Sequence, residues 1–324
     1  MLAVHLENGA VTLREVPMPP RPPGHALLRL LVGGICNTDL ELRRGYYGFS
    51  GTPGHEFVAE VAEADSPSLI GRRVVGEINL ACGDCEWCRK GLGRHCPRRT
   101  VLGIVRRPGA FAEYFTLPEG NLRVVPDEIP NQRAVFTEPL AAACEILEQV
   151  SIPRDETVAV LGDGKLGLLV ALVLNAHGYA VRLFGRHEEK LGIAAHVGIA
   201  TQLAGGEEPA AQYGWVVEAT GNPEGLRLAA AMTRPRGTVI LKSTVHEAVS
   251  IDAAPIVVNE ITLVGSRCGR FEEALPLLAH KRIPLEEMIS ARYPLREAAE
   301  AFDHADRRGT LKVLLDAGST PDGR

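Results

Sequence analysis

Residues 156–167 read Glu156-Thr-Val-Ala-Val-Leu-Gly162-Asp-Gly164-Lys-Leu-Gly167, and an apolar run follows at 168–176. A short apolar strand, a G-x-G-x-x-G turn and a helix, in that order, form a dinucleotide-binding fingerprint. The glycines permit a tight turn and let the backbone approach a pyrophosphate at the positive end of the helix. Glycine-rich turns are common, so a purely structural turn is the competing reading. The surroundings favour the nucleotide: strands are expected at 180–184, 215–219, 238–242 and 261–264, with helices at 191–196 and 226–232. Strands alternating with helices predict an α/β fold with a parallel, doubly wound sheet.

The chain before this stretch has a different texture. Short alternating segments at 26–32, 57–62, 73–77 and 112–116 are separated by Pro/Gly clusters at 17–24 and 52–54, which predicts a small, irregular β-rich barrel. Helical periodicity enters at 134–150, where Pro139 is expected to kink the helix. Beyond the doubly wound region, helices are expected at 271–279 and 296–304 and a last strand at 310–315.

Within the β-rich part, Cys82, Cys85, Cys88 and Cys96 follow the spacing C-x2-C-x2-C-x7-C, and Gly83, Gly91 and Gly93 supply turns that let four thiolates face one centre. Zn2+ takes four thiolates tetrahedrally, and a site closed by four protein sulfurs leaves no position open for substrate. The lobe therefore reads as structural zinc, and chemistry is expected elsewhere. Two disulfides are the alternative, disfavoured in a reducing compartment. A nucleic-acid zinc ribbon is another, although it usually sets its cysteines in two separated pairs.

Length and charge narrow the field. The 324 residues suffice for two domains. A hydrophobic content of 45% and a charged content of 23% describe an ordinary water-soluble globular chain. A formal net charge of -5 counts against a nucleic-acid partner or an anionic membrane. The opening MLAVHLENGA has no basic stretch before an apolar core, so no signal peptide is expected. The best apolar run, 166–174, is too short to span a bilayer. Seven cysteines, four of them in one lobe, fit a reducing compartment, so a cytoplasmic location is expected.

Three further motifs are Gly34-Ile-Cys36-Asn-Thr38-Asp39, Gly54-His55-Glu56 and Thr137-Glu138-Pro139. A catalytic zinc takes a few N, S and O ligands and keeps one position open. Cys36, His55 and Glu138, or Glu56, would supply such a set, though spacing alone does not show it. With the cysteine lobe, the glycine turn and Glu218-Ala-Thr-Gly221, the ordered set resembles the zinc-dependent medium-chain dehydrogenase/reductase family, which contains alcohol, sorbitol, threonine and glucose dehydrogenases. The resemblance covers the chain from residue 20 onward. It implies a GroES-like catalytic domain over 1–139 with the zinc lobe at 82–96, a Rossmann domain over 140–265, and a return to the catalytic domain over 266–324.

The resemblance also assigns roles. It implies Cys36 and His55 as ligands of a catalytic zinc, with Glu138 where polyol-type members place a glutamate and others a cysteine. Glu56 would be a ligand in part of the cycle, and Asp39 is similar to the carboxylate that orients the ligand histidine, a turn-capping Asp being the plainer alternative. Thr38 would offer its hydroxyl to the substrate oxygen and start a proton relay. Cofactor contacts would fall on Gly162, Gly164, Lys165, Leu166 and Gly167, on Gly185, Arg186 and His187 at the tip of the second strand, and on Thr220. Two zinc ions per chain, one catalytic and one structural, are implied, with hydride exchange between a secondary alcohol, polyol or sugar and NAD(P).

The sequence departs from the family pattern in three places. Many members carry a histidine a few residues beyond the relay hydroxyl; here Glu41 stands near that place, as a relay or as a surface charge on a helix at 38–43. The second strand ends Phe184-Gly185-Arg186-His187 without the acid that binds a ribose 2'-hydroxyl, and Arg186 could pair with a 2'-phosphate, which favours NADP over NAD; Glu188 and Glu189 close by keep NAD as the alternative, with Arg186 then a solvated loop charge. The chain is also shorter than many relatives. Tyr46, Tyr47 and Phe49 lie between two ligand motifs and either line the substrate cleft or fill core; Cys144 and Cys268 read as buried small residues. Threonine dehydrogenase-type oxidation of an amino alcohol competes within the family; a non-enzymatic zinc-ribbon binding protein and a zinc-free quinone-type reductase are disfavoured. A homodimer or homotetramer is expected, pairing along the sheet edge near 261–264, with a small-molecule substrate and neither nucleic acid nor membrane as partner.

Overall fold

The computed structural model describes residues 1–205, 210–243, 251–280 and 283–318. The chain divides into two compact units, Met1–Glu138 with Ile289–Arg324, and Pro139–Met288.

Six strands of the second unit form one sheet. Across it lie Ala200–Leu203, Ala180–Gly185, Thr157–Leu161, Tyr213–Glu218, Thr233–Leu241 and Thr262–Gly265. Every pairing is parallel. In order of appearance the strands run 3-2-1-4-5-6, the doubly wound arrangement that takes a dinucleotide where the order reverses. Parallel strands are covered on both faces and so are apolar throughout, as in the buried Val158–Leu161 stretch of the first strand. Helix Lys165–Ala176 follows, buried from Gly167 through Leu174. Ala159, Leu161, Phe184, Val216 and Val239 share one core with Tyr213, whose ring meets Phe184 edge-on at 5.9 Å. The α/β reading of the sequence is the fold observed.

Three expectations change here. Helix Thr137–Gln149 places Pro139 in its first turn, where the missing N–H would have had no partner, so Pro139 starts the helix and does not kink it. The helix expected at 271–279 is α-helical only over Phe271–Ala274 and continues as a 3-10 turn at Leu275–Ala279, because Pro276 cannot donate to the preceding turn. The unit also runs to Met288 and not to 265. Its last segment is tied down by buried Lys242, whose Nζ donates to the carbonyl oxygens of Ala142 and Arg267 and to the Ser266 hydroxyl. Arg270 adds an ion pair to Glu148 at 2.8 Å. The return to the first unit therefore begins at Ile289, not 266.

The first unit is a seven-stranded sheet. Its path is Ile289–Pro294, Lys312–Asp316, His25–Ile35, Glu56–Glu63, Arg73–Gly76 and Leu122–Val124, with Tyr114–Pro118 also pairing to His25–Ile35. Only the pairing of the two returning strands is parallel. A hairpin of Leu2–Glu7 and Ala10–Glu15 precedes it, turning through Asn8 and Gly9 at φ 50° and 80°. The returning chain is integral to this core. Val313 lies opposite Ile35, and buried Phe302 meets Phe111 edge-on at 6.2 Å. Phe57 and Phe115 make a second edge-on pair at 4.8 Å. Among the described residues no helix is long and apolar enough to cross a membrane.

Because Phe302 anchors a segment far along the chain to the barrel core, Phe302→Ala should destabilise the first unit by about 3–5 kcal/mol. A chemical-denaturation curve read at the first unit should shift accordingly; a loss below about 1 kcal/mol would show that the returning segment is held by its strand pairing alone.

Candidate active site

The cysteine lobe is built on two short turns, the helix Glu86–Arg89 and the 3-10 turn Gly93–His95. They bring Sγ of Cys85 to 3.4 Å from Cys88 and 3.7 Å from Cys96, and Sγ of Cys82 to 3.4 Å from Cys96 and 3.8 Å from Cys88. A tetrahedron of sulfurs each about 2.3 Å from a central zinc has edges of about 3.8 Å. All four cysteines are free thiols, so the disulfide alternative does not hold. The residues fit a zinc ion closed on all sides by protein.

A second set of ligand atoms gathers at one end of strand His25–Ile35. Cys36, His55 and Glu56 offer a sulfur, a ring nitrogen and a carboxylate oxygen, all within 4.8 Å of one another. Cys36 is the residue before helix Asn37–Arg43, and Asp39 in the first turn of that helix is fully buried. The Asp39 carboxylate accepts from the N–H of Cys36 at 2.9 Å and from the N–H of Gly54 at 3.1 Å. It thus clamps both ligand loops. Its Oδ1 stands 3.5 Å from His55 Nδ1, a buried nitrogen without a hydrogen-bond partner. Burial works against a charged imidazole, but Asp39 and the Cys36 sulfur outweigh it and hold His55 well above the usual imidazole range. A buried histidine with one ring nitrogen turned to Asp39, beside a thiol and a carboxylate, belongs to a donor set that fits a zinc ion.

Glu138 stands outside that 4.8 Å set. It is a half-buried acid in the first turn of helix Thr137–Gln149, and burial pushes its carboxyl up to about 7 against the opposing pull of His55. Thr38 places Oγ1 3.7 Å from the Cys36 sulfur. Glu41, on the same helix, is engaged with Arg44 at 2.6 Å, and Arg44 also reaches Asp306.

Sequence reasoning missed Lys312. It is 1% exposed and forms a short ion pair with Glu56, itself 1% exposed, while its Nζ lies 5.6 Å from the Phe136 ring centre. Burial disfavours its charge, but the Glu56 carboxylate raises its pKa above the ordinary lysine range. No local pattern announces it, since a lysine in a short strand 256 residues after its partner looks like a surface charge.

At the nucleotide end, Gly162 holds φ at 110°, and a side chain at Gly167 would strike the Gly162 carbonyl. Gly164 precedes helix Lys165–Ala176 and has open space where a Cβ would stand, the opening a pyrophosphate needs. Lys165 and Leu166 begin that helix. Thr220 is turned into its own loop: its N–H and hydroxyl donate to buried Glu218 at 2.7 and 2.6 Å. The tip of the second strand differs from expectation. Asp163, the residue between the first two motif glycines, folds across it. Its Oδ2 accepts from the N–H groups of Arg186 and His187, both at 2.7 Å, and lies 2.9 Å from His187 Nδ1. Gly185 makes room for it, since a Cβ there would stand 2.5 Å from that of Asp163. The tip therefore does carry a carboxylate, supplied from the glycine turn and not from the strand.

A doubly wound dinucleotide-binding unit joined to a β-rich unit with two cysteine-containing metal-ligand sets defines a zinc-containing, NAD(P)-linked oxidoreductase of the alcohol dehydrogenase type. Comparison with known proteins agrees. Residues 22–127 match the alcohol dehydrogenase GroES-like domain, and residues 131–317 match the glucose dehydrogenase C-terminus. The chain is 31% identical to D-altritol 5-dehydrogenase of Agrobacterium fabrum, over 96% of this chain and 98% of that one. It is 34% identical to L-threonine 3-dehydrogenase of Streptomyces avermitilis, over 94% and 95%. A zinc-binding dehydrogenase structure from Sinorhizobium meliloti, bound to NADP, superimposes with a TM-score of 0.88 at 30% identity, covering 97% and 98%. The chain belongs to the zinc-dependent medium-chain dehydrogenase/reductase family. With that, the zinc-ribbon scaffold reading falls away.

Removing one partner of a buried ion pair strands the other, at a cost of about 3–5 kcal/mol. Lys312→Met should lower the stability of the first unit by that amount, and adding Glu56→Gln should restore more than half of it. A double-mutant cycle in which the two losses simply add would mean the pair is not coupled.

Proposed function

We propose that the chain oxidises a secondary alcohol, polyol or sugar, or reduces the matching carbonyl, at a zinc held by Cys36, His55 and a glutamate. The observation that carries this reading is the contrast between the two ligand sets. One is four sulfurs closed on one another; the other mixes S, N and O and gathers at a strand end. Glu56 is already neutralised by Lys312, so Glu138 is the carboxylate that gains most from a cation: burial opposes its charge, and a bound metal would reverse that. Zinc held here would supply Lewis acidity, lowering the pKa of an alcohol or polarising a carbonyl, and a bound nicotinamide would carry the hydride. Asp39 keeps His55 in place, and the Thr38 hydroxyl would accept the substrate's proton while passing its own on to the nicotinamide ribose. Glu41 can join the relay only by leaving Arg44. Oxidation of an amino alcohol is the second reading, favoured by the 34% identity to L-threonine 3-dehydrogenase.

The cofactor we assign is NADP. The Arg186 side chain is exposed and makes no ion pair among the described residues, so it is available to a 2'-phosphate. Asp163 favours NAD, since it brings a carboxylate to the same tip, although three donors already satisfy it. We further propose a homo-oligomer formed along the edge strand Thr262–Gly265 with helix Ala254–Val258, where Val257 and Val258 are 72% and 79% exposed. A reducing, cytoplasmic setting suits four thiols committed to metal.

Metal analysis should find two zinc ions per chain, and Cys36→Ser should keep one while losing turnover. Loss of both metals would mean the two sites are wrongly assigned. NADPH should bind more tightly than NADH, and Arg186→Ala should cut that advantage by about tenfold or more. A preference for NADH, kept in Arg186→Ala and weakened in Asp163→Asn, would assign NAD instead.

A further inference from the structure

We propose that the substrate carries a phosphate monoester, held by Arg99, Arg106 and Arg107 in a cavity that opens beside the His55 loop. This rests on the dehydrogenase reading above and deepens it. The cavity measures about 650 Å3 and is walled by two segments of the first unit, 47–52 and 97–108. It contains all three arginines and no aspartate or glutamate.

The three cations differ from their neighbours in the same stretch. Lys90 is paired with Glu86 and Arg98 with Asp84, as exposed cations ordinarily are. Among the described residues no carboxylate lies within ion-pair distance of Arg99, Arg106 or Arg107. Each spends one nitrogen on a backbone carbonyl: Arg99 on Cys96, Arg106 on Arg99 and Arg107 on Thr116. Arg99 Nε is buried with no partner at all. Burial also lowers the Arg107 pKa, so its charge sits where an anion would stabilise it. Arg99 and Arg107 are half-buried, and beside an acid-free cavity their charge is costly unless something anionic fills it; Arg106, exposed, adds a third cation to the same lining. A carboxylate is matched by one guanidinium fork; three of them can donate to all three terminal oxygens of a phosphate monoester and more than offset its charge of about -2.

The cavity is joined to the metal-ligand loop by backbone. Thr52 is one of its walls, and His55 follows three residues later. The segment carrying Arg106 and Arg107 then runs back along that loop. Gly109 N–H donates to the Thr52 carbonyl at 2.7 Å, Phe111 N–H to Pro53 at 3.1 Å and Ala110 N–H to Gly54 at 2.8 Å. A polyol chain whose reacting carbon lies at the metal set could therefore extend its far end towards the arginines. Tyr47 and Ser50 also line the cavity and bring hydroxyls to it.

The zinc-loaded full chain tests this with matched pairs, galactitol against galactitol 1-phosphate and sorbitol against sorbitol 6-phosphate, using NAD and NADP. The phosphorylated member should have the higher kcat/KM by at least tenfold. Arg99→Gln with Arg106→Gln should lower the ratio of phosphorylated to neutral kcat/KM by about tenfold or more. Arg106→Gln alone, at an exposed position, should lower it in the same direction. Calorimetry with inorganic phosphate gives a readout independent of turnover: binding should be seen with the native chain and lost in the double variant. Turnover of the neutral polyols with no phosphate preference would overturn the inference while leaving the dehydrogenase reading intact. Inorganic phosphate binding without a kinetic preference would make the cavity a free-anion site and overturn it as well. Failure of every pair together with absent NADPH binding would overturn the dehydrogenase reading, and absent phosphate binding would then overturn this one separately.

Discussion

The buried ion pair between Lys312 and Glu56 constrains everything around the metal-ligand set. Taking two charges out of water costs several kcal/mol per ion, which only close mutual contact offsets. Both side chains are 1% exposed, so neither can turn to solvent for relief. The strand that carries Lys312 is buried from Lys312 through Leu315, and hydrophobic burial alone would tolerate a slip along it. The ion pair does not. Moving the register by one residue would point the lysine to the opposite face of the sheet. A pair of opposite charges therefore fixes the alignment that hydrophobic matching leaves loose, and with it the position of the strand next to Cys36.

Carboxylates perform a second kind of work at both ends of the molecule's chemistry. Asp39 gathers the N–H groups of Cys36 and Gly54, and Asp163 those of Arg186 and His187. Glu218 does the same for Thr220. In each case an acid accepts charge-assisted hydrogen bonds from a loop that has no secondary structure to order it. Loops at metal and nucleotide sites must approach a ligand closely, so they cannot be ordered by bulky side chains. A small buried acid holds them from behind. Mutual support of this kind is the preorganisation that a reacting site needs.

Much of this was legible in the sequence, and the exceptions share a cause. The glycine turn, the cysteine lobe and the strand–helix alternation are local patterns, and each is present, with strand and helix ends up to five residues from where the sequence put them. The hairpin at Asn8 and Gly9 was missed although it carries the strongest short turn signal; its second strand, Ala10–Glu15, buries no residue fully. Strands Ala200–Leu203 and Ile289–Pro294 were missed because each is half-exposed and short. Lys312, Asp163 and the three cavity arginines escaped for a deeper reason. Their significance lies in what they face across tens or hundreds of residues, or in the acid that is not beside them, and no periodicity records either. The boundary at 265 failed similarly: the segment to Met288 belongs to the second unit through tertiary bonds from Lys242 and Arg270.

The split construction of the first unit has a consequence for how the protein is made. A ribosome delivers Cys36, His55 and Glu56 early, but the strand that shelters Glu56 and supplies its cation is translated only after the whole nucleotide-binding unit. Until then the sheet beside Cys36 has an open edge, and the carboxylate remains hydrated and mobile. The four-cysteine lobe, by contrast, lies within a single short stretch of chain. Its four sulfurs are all translated before the nucleotide-binding unit, whereas the mixed set gains the shelter of its carboxylate only after that unit, so the two ligand sets are completed at different times.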